Sequence, residues 1–207
     1  REAGVKYLIE IMKAMDKIDS RSLVGAMYSF WPCDFKSVDK EGAWKRSIAS
    51  MKEVAGAAEA LGIECCQEVL NRYETYIMTD CEEGLRYCEL VGSRNVLLLL
   101  DTFHMNIEED NIPEAIRKGG ARIGHIHVGE ANRKLPGMGS LPWREIGRAL
   151  RDIGYEKGVV MEPFLLPGGK VAEDIKVWRD LGNHADEGML DGYIKSSLDF
   201  LKHEFTF

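Results

Sequence analysis

The chain has 207 residues, of which 45% are hydrophobic and 29% are charged, and its formal net charge is −7. This length and apolar content allow a domain with a substantial core. An acidic chain without a basic block is unsuited to phosphodiester backbones, so we expect no nucleic-acid partner. No apolar run approaches the roughly 18 residues of a membrane span, so we expect no membrane partner either.

Helix-like and strand-like segments alternate along the chain. Five short apolar segments predict strands, and the segments between them have the apolar spacing of helices. In chain order the predicted elements are helix 1–17, strand 22–30, helix 43–62, strand 63–70, helix 79–92, strand 95–101, helix 111–120, strand 121–129, helix 142–154, strand 158–164 and a mostly helical tail from residue 171. Thr79 or Asp80 is the expected N-cap of its helix, and Pro113 suits a first helical turn.

This alternation predicts an α/β fold with a parallel sheet. No Gly-rich phosphate fingerprint follows a strand, which disfavours a dinucleotide-binding sheet. A (β/α)8 TIM barrel is the better match, although a full barrel needs eight units and typically about 250 residues. We therefore interpret residues 1–207 as a single domain, the C-terminal five βα units of a barrel that lacks its first three units.

The stretch "LLLLDTFHMNIEED", residues 97–110, joins an apolar run directly to Asp101, and His104 follows within a helix-like, acidic segment. Such a short apolar run is typical of a strand buried on both faces. An Asp at its end is either a helix cap or a functional group at the mouth of a barrel.

Polar side chains occupy the carboxyl ends of four successive predicted strands. They are Glu68, Asp101, His127 and Glu162. In a barrel these ends converge on one mouth, where active sites form. Three carboxylates and an imidazole suit Mn²⁺, Mg²⁺ or Co²⁺ rather than a thiolate-rich zinc site.

Each of these residues also has a structural interpretation, because a single Asp after a strand is more often an N-cap and a single strand Glu usually faces solvent. Four equivalent positions in successive units favour the metal site. His125 lies two residues before His127, on the same side of the strand, and we expect it to pack behind the ligands. His184 and His203 fall in the helical tail and are expected at the surface.

The cysteines Cys33, Cys65, Cys66, Cys81 and Cys88 are odd in number and contain no CxxC pair. Cys65 and Cys66 would face opposite sides of a strand. We therefore expect reduced thiols without a catalytic role, in a cytoplasmic protein.

The segments "EVLNRYE", "LDTFHMNIEEDNI", "GHIHVGEANRKLPGMG", "PWREIG" and "VVMEPF" resemble the D-psicose (D-allulose) 3-epimerase and D-tagatose 3-epimerase family, whose members have a xylose-isomerase-like barrel. The similarity extends from "GAMYSFWPCDF" to "IKVWRDL". The family begins with three further βα units, which carry aromatic contacts to the sugar. It often has Gly-Gly-Ala where this chain has Val24-Gly25-Ala26.

The resemblance implies site residues and a cofactor. Metal ligation falls to Glu68, Asp101, His127 and Glu162, and the ion is Mn²⁺ or Co²⁺, with Mg²⁺ tolerated. Glu68 and Glu162 are also the implied catalytic acid and base. Contacts to the sugar near O1 and O2 fall to Glu74, His104 and Arg133, although Arg133 and Lys134 could equally be solvated loop charges.

We therefore expect a metal-dependent ketose 3-epimerase that interconverts D-fructose and D-psicose or related ketoses through an enediolate, as a homo-oligomer (dimer or tetramer). The alternatives are an aldose–ketose isomerase similar to hydroxypyruvate or xylose isomerase, and an inactive sugar-binding fragment. A metal-dependent abasic-site nuclease is disfavoured, because it would need a basic groove and more histidines than the five in this acidic chain. Since the chain starts with Arg1 rather than Met, we expect about 80 further residues before it, from three barrel units, and no competent enzyme without them.

Overall fold

The computed structural model describes residues 1–206, in which strands and helices alternate as predicted. The elements are α1 (Glu2–Lys17), β1 (Ser22–Gly25), α2 (Lys40–Leu61), β2 (Glu64–Val69), α3 (Cys81–Val91), β3 (Val96–Asp101), α4 (Thr102–Glu108), α5 (Ile112–Gly119), a 3₁₀ turn (Gly120–Arg122), β4 (Ile123–Val128), α6 (Trp143–Asp152), β5 (Gly158–Met161), α7 (Gly169–Asp174) and α8 (Glu187–Phe205).

The strands form a single five-stranded sheet in the order β1-β2-β3-β4-β5. The β1–β2 and β2–β3 pairs are parallel, as predicted, and Glu68 lies opposite Leu99 in the second pair. Neighbouring strands in sequence order are thus neighbours in the sheet, which is the arrangement that successive βα units produce.

All five strands are shorter than predicted, and two of them end three or more residues before their predicted ends. β1 ends at Gly25, whose φ of 130° leaves the extended conformation, and the Met27 N–H donates to the Gly25 carbonyl in the turn that follows. β5 ends at Met161, so Glu162 begins the next segment rather than lying inside the strand. The predicted helical tail is two helices, α7 and α8, with turns between them.

The chain divides into two compact units, and the first comprises Arg1–Leu100 and Lys118–His125. Its core includes the buried residues Cys66 on β2 and Leu97 and Leu99 on β3. Helix α3 approaches the sheet closely at Gly84, where an added Cβ would lie 2.8 Å from Leu98 Cδ2. A larger residue at this position would therefore force α3 away from β3.

The second unit comprises Asp101–Arg117 and the chain from Ile126 onward. Helix α6 packs against α8 at Gly147, where an added Cβ would lie 2.6 Å from the Glu204 carbonyl oxygen. The Trp143 ring meets the rings of Phe200 and Phe205 at the same contact, with centroids 6.4 Å apart in both pairs. Within residues 1–206, no helix is both long enough and apolar enough to cross a membrane.

Candidate functional site

Asp101 has the cap role that its position in the sequence allowed, and it also lies among the other candidate site residues. It ends β3 and is 1% exposed, and its Oδ1 accepts a hydrogen bond of 2.6 Å from the Phe103 N–H at the start of α4. Its Oδ2 lies 3.8 Å from Arg133 Nη1. One oxygen therefore caps a helix, and the other is directed to neighbouring charged groups.

The four predicted ligands lie close together. Glu68, Asp101, His127 and Glu162 each offer one ligand atom, and these four atoms all lie within 4.8 Å of one another. Opposite ligands of an ion bound at about 2.2 Å are about 4.4 Å apart, so a group whose atoms lie within 4.8 Å of one another has the size of a site for one ion. Three carboxylates and one imidazole are the donor set that suits Mn²⁺, Co²⁺ or Mg²⁺. The residues present therefore fit a divalent ion.

Glu162 is surrounded by polar partners. Its Oε2 lies 3.5 Å from His127 Nδ1 and 3.8 Å from Arg133 Nη1. Burial raises the pKa of the Glu162 carboxyl, but interactions with His127, Asp101 and Arg133 outweigh it, and the pKa is lowered overall. The ionised carboxylate is therefore the stable form at neutral pH, as a metal ligand requires.

Arg133 is a buried cation rather than a solvated loop charge, since it is 6% exposed. Its guanidinium carbon lies 3.6 Å from the centroid of the Phe103 ring and 5.0 Å from that of Phe164. The two rings hold the cation through cation–π attraction, which strengthens where water is excluded. Nη1 is thereby kept 3.8 Å from both Asp101 Oδ2 and Glu162 Oε2. Lys134 is half-buried.

His104 lies on α4 and is 2% exposed. Burial, followed by the Arg133 cation, lowers the pKa of its imidazole to about 3. The ring is therefore neutral at physiological pH, with one nitrogen able to donate and the other able to accept a hydrogen bond. The Phe103 ring packs edge-on against it, with centroids 5.2 Å apart.

Glu74 follows β2 in the first unit. Its Oε2 accepts a hydrogen bond of 3.1 Å from the Trp31 indole N–H, and its Oε1 accepts one of 3.2 Å from the Asn71 amide. The carboxylate thus has neutral donors as partners, and an aromatic ring stands beside it. Such a pairing is suited to a carbohydrate hydroxyl.

The expected surface positions of His184 and His203 are confirmed, whereas the expected place of His125 behind the ligands stays a prediction. The side chains of His184 and His203 are 95% and 60% exposed, and His125 is half-buried in β4. No disulfide forms among the cysteines, all of which lie within the described residues. Burial raises the pKa of both the Cys65 and Cys88 thiols to about 12, which leaves them unreactive near neutral pH.

Sequence reasoning missed three groups around the site. Phe103 and Phe164 flank Arg133. The Thr102 hydroxyl donates a hydrogen bond of 2.7 Å to the Gly129 carbonyl and accepts one of 3.0 Å from the Gly129 N–H. These bonds connect the start of α4 to the residue that follows β4. Glu130 is fully buried in the following loop. Each lies within three residues of a predicted site residue in the sequence, but no spacing or composition distinguishes it from its neighbours.

Comparisons with known proteins place these residues in a family. The family model described as xylose isomerase-like TIM barrel matches residues 1–181. The chain is 50% identical over 204 residues to a D-psicose 3-epimerase of Ruminiclostridium cellulolyticum, covering 98% of this chain and 70% of that protein. It is 45% identical to the D-psicose 3-epimerase of Agrobacterium fabrum, covering 97% and 70% of the two chains.

Solved structures agree with this similarity. The crystal structure of D-psicose 3-epimerase with D-tagatose from Clostridium cellulolyticum H10 has a TM-score of 0.97 and 50% identity, covering 99% of this chain and 71% of that one. A structure of L-ribulose 3-epimerase has a TM-score of 0.88 at 29% identity, covering 98% of this chain and 67% of that one. The barrel expected from the strand–helix alternation is confirmed. This chain spans about 70% of the length of the D-psicose 3-epimerases that it resembles.

Proposed function

The chain belongs to the D-psicose 3-epimerase family of xylose isomerase-like TIM barrels, and on this premise we propose that it is a metal-dependent ketose 3-epimerase that interconverts D-fructose and D-psicose or related ketoses. The observation that carries the proposal is the group of four ligand atoms within 4.8 Å of one another. Relatives that share this much sequence are named for the same reaction.

The ion would be held by Glu68, Asp101, His127 and Glu162, and Mn²⁺ or Co²⁺ is the expected metal, with Mg²⁺ as a substitute. When bound, a divalent ion supplies Lewis-acid stabilisation of negative charge on a substrate oxygen. Asp101 and His127 are buried, and this supports the role because a cation interacts more strongly with ligands from which water is excluded.

Inversion at C3 requires a base on one face of the carbon and an acid on the other. We assign these roles to Glu68 and Glu162, which lie in separate strand-end segments and offer carboxylate oxygens to one small volume. One carboxylate removes the C3 proton, and the other, protonated, returns a proton to the opposite face. The two groups exchange roles in the reverse reaction.

Substrate orientation would fall to Arg133, His104 and Glu74. The Arg133 guanidinium is fixed between two rings, so it can donate hydrogen bonds to sugar oxygens with little loss of side-chain entropy. The neutral His104 imidazole can either donate to or accept from a hydroxyl. Glu74 is an acceptor for sugar hydroxyls beside the Trp31 ring.

Product analysis tests the proposal. The full-length protein is freed of metal with a chelator, divided, and incubated with D-fructose with or without added Mn²⁺. D-Psicose should form only in the sample with metal. An aldose product would favour the isomerase alternative, whereas full turnover in the chelated sample would contradict metal dependence.

A further inference from the structure

Glu130 is a buried carboxylate in the loop between β4 and α6, and its exposure is 0%. Its Oε1 accepts hydrogen bonds from the Gly137 N–H at 2.8 Å and from the Trp143 indole N–H at 2.7 Å. Its Oε2 accepts one from the Leu141 N–H at 3.2 Å. This side chain therefore connects the start of the loop to Gly137 and Leu141 later in the loop and to Trp143, the first residue of α6.

The backbone of the same residue holds Arg133. The Arg133 N–H donates to the Glu130 carbonyl at 2.9 Å, and the Glu130 N–H donates to the Lys134 carbonyl at 2.9 Å. Arg133 has a φ of 63°, an uncommon conformation for a residue with a side chain. Its own carbonyl accepts from the Phe164 N–H at 2.9 Å, two residues beyond Glu162. The main chain at Arg133 is thus fixed on both sides.

We propose that Glu130 is a positioning residue for Arg133: its carboxylate closes the loop at Gly137, Leu141 and Trp143 and so keeps the guanidinium between Phe103 and Phe164, beside Asp101 and Glu162. This inference rests on the proposed function in that Arg133 is taken to contact the substrate. The Glu130 carboxylate accepts its hydrogen bonds from the loop and from Trp143, and so would act on the substrate only through Arg133.

The hydrogen-bond chemistry requires a carboxylate at this position. Backbone and indole N–H groups can only donate, so both oxygens of Glu130 must accept. A glutamine has nearly the same shape but offers one oxygen and one NH₂ group. Whichever way its amide is turned, the NH₂ faces a donor, so Glu130→Gln disrupts one end of the loop while preserving its volume.

A double-mutant cycle on kcat/KM for D-fructose tests the proposal, with Glu130→Gln made in the wild-type chain and in Arg133→Ala. If Glu130 acts through Arg133, Glu130→Gln should lower kcat/KM about 10-fold in the wild-type chain and less than about 2-fold in the Arg133→Ala variant. Equal losses in both backgrounds would overturn the proposal. Glu145→Gln, an exposed carboxylate in the first turn of α6, is the matched control.

Trp143→Phe is the second variant in case Glu130→Gln folds poorly. It removes one donor to Oε1 and keeps an aromatic ring against Phe200 and Phe205. We expect the same dependence on Arg133 with a smaller loss of about 3-fold, because Gly137 and Leu141 still donate to the carboxylate. A loss that is the same with and without Arg133 would again overturn the proposal.

Mn²⁺ affinity, measured by calorimetry without any sugar, gives a reading that does not depend on activity. The Arg133 cation beside Asp101 and Glu162 opposes a second cation there. Arg133→Ala should therefore tighten Mn²⁺ binding, and Glu130→Gln should tighten it about 3-fold by releasing the guanidinium. Unchanged or weaker binding in Glu130→Gln would contradict the positioning role. If the wild-type chain binds Mn²⁺ but turns over no ketose, the proposed function fails while this measurement still decides the role of Glu130.

Discussion

Replacing Glu162 by glutamine separates catalysis from binding at the proposed site. The substitution preserves the shape of the side chain but removes its negative charge and its ability to exchange a proton. It also places an amide where His127 Nδ1 lies 3.5 Å and Arg133 Nη1 lies 3.8 Å from Oε2. The change therefore affects a metal ligand and a proton-transfer group at once.

Loss of a general acid or base lowers kcat by about 10²-fold or more, equivalent to about 2.7 kcal/mol of transition-state stabilisation. We expect at least this loss of kcat in Glu162→Gln when Mn²⁺ is added until its site is saturated. Weaker Mn²⁺ binding should accompany it, because an amide oxygen is a poorer ligand than a carboxylate.

The assay is steady-state formation of D-psicose from D-fructose over a range of Mn²⁺ concentrations, which distinguishes lost metal from lost chemistry. Glu156→Gln removes a charge from an exposed residue just before β5 and serves as the control. Near-normal kcat in metal-saturated Glu162→Gln would refute the assignment of two carboxylates as acid and base.

Three further predictions concern binding, packing and pH. Arg133→Ala should mainly raise KM, by about 10-fold or more for a lost charged hydrogen bond, with a smaller change in kcat. Gly147→Ala should lower the thermal melting temperature, since its Cβ would lie 2.6 Å from the Glu204 carbonyl oxygen. Burial lowers the pKa of His104 to about 3, whereas a histidine in the unfolded chain has a pKa of about 6.5. As the pH falls from about 6.5 towards 3, the unfolded chain therefore binds a proton that the folded chain does not, and stability should fall. In urea unfolding of metal-free protein, the free energy of unfolding should fall less steeply over this pH range in His104→Gln than in the wild type.

The strand–helix order could be predicted because it depends on local apolar patterns and on capping residues. Asp80, one of the two predicted caps, accepts a hydrogen bond from the Glu83 N–H at the start of α3, and Gly62 and Gly92 end their helices in the left-handed conformation. The ends of β1 and β5 could not be predicted. There the apolar pattern continues past the last strand residue, and the backbone turn at Gly25 decides where pairing stops.

The candidate ligands could be predicted because strand position and residue type coincide at Glu68, Asp101, His127 and Glu162. The environment of Arg133 could not be predicted from the sequence. Its burial depends on two rings from separate segments, Phe103 and Phe164, and on a loop closed by Glu130. Contacts of this kind arise only when the chain is folded, since no local pattern encodes which loop residues meet.

The central claim is that two carboxylates move a proton at C3 of a ketose, and the reaction in D₂O tests it most directly. D-Fructose is incubated with the Mn²⁺-loaded protein, and the D-psicose formed is examined by NMR and mass spectrometry. Because the group that removes the proton is not the group that returns one, the product should carry a single deuterium at C3. Deuterium at C1, an aldose product with deuterium at C2, or D-psicose without deuterium at C3 would contradict the mechanism.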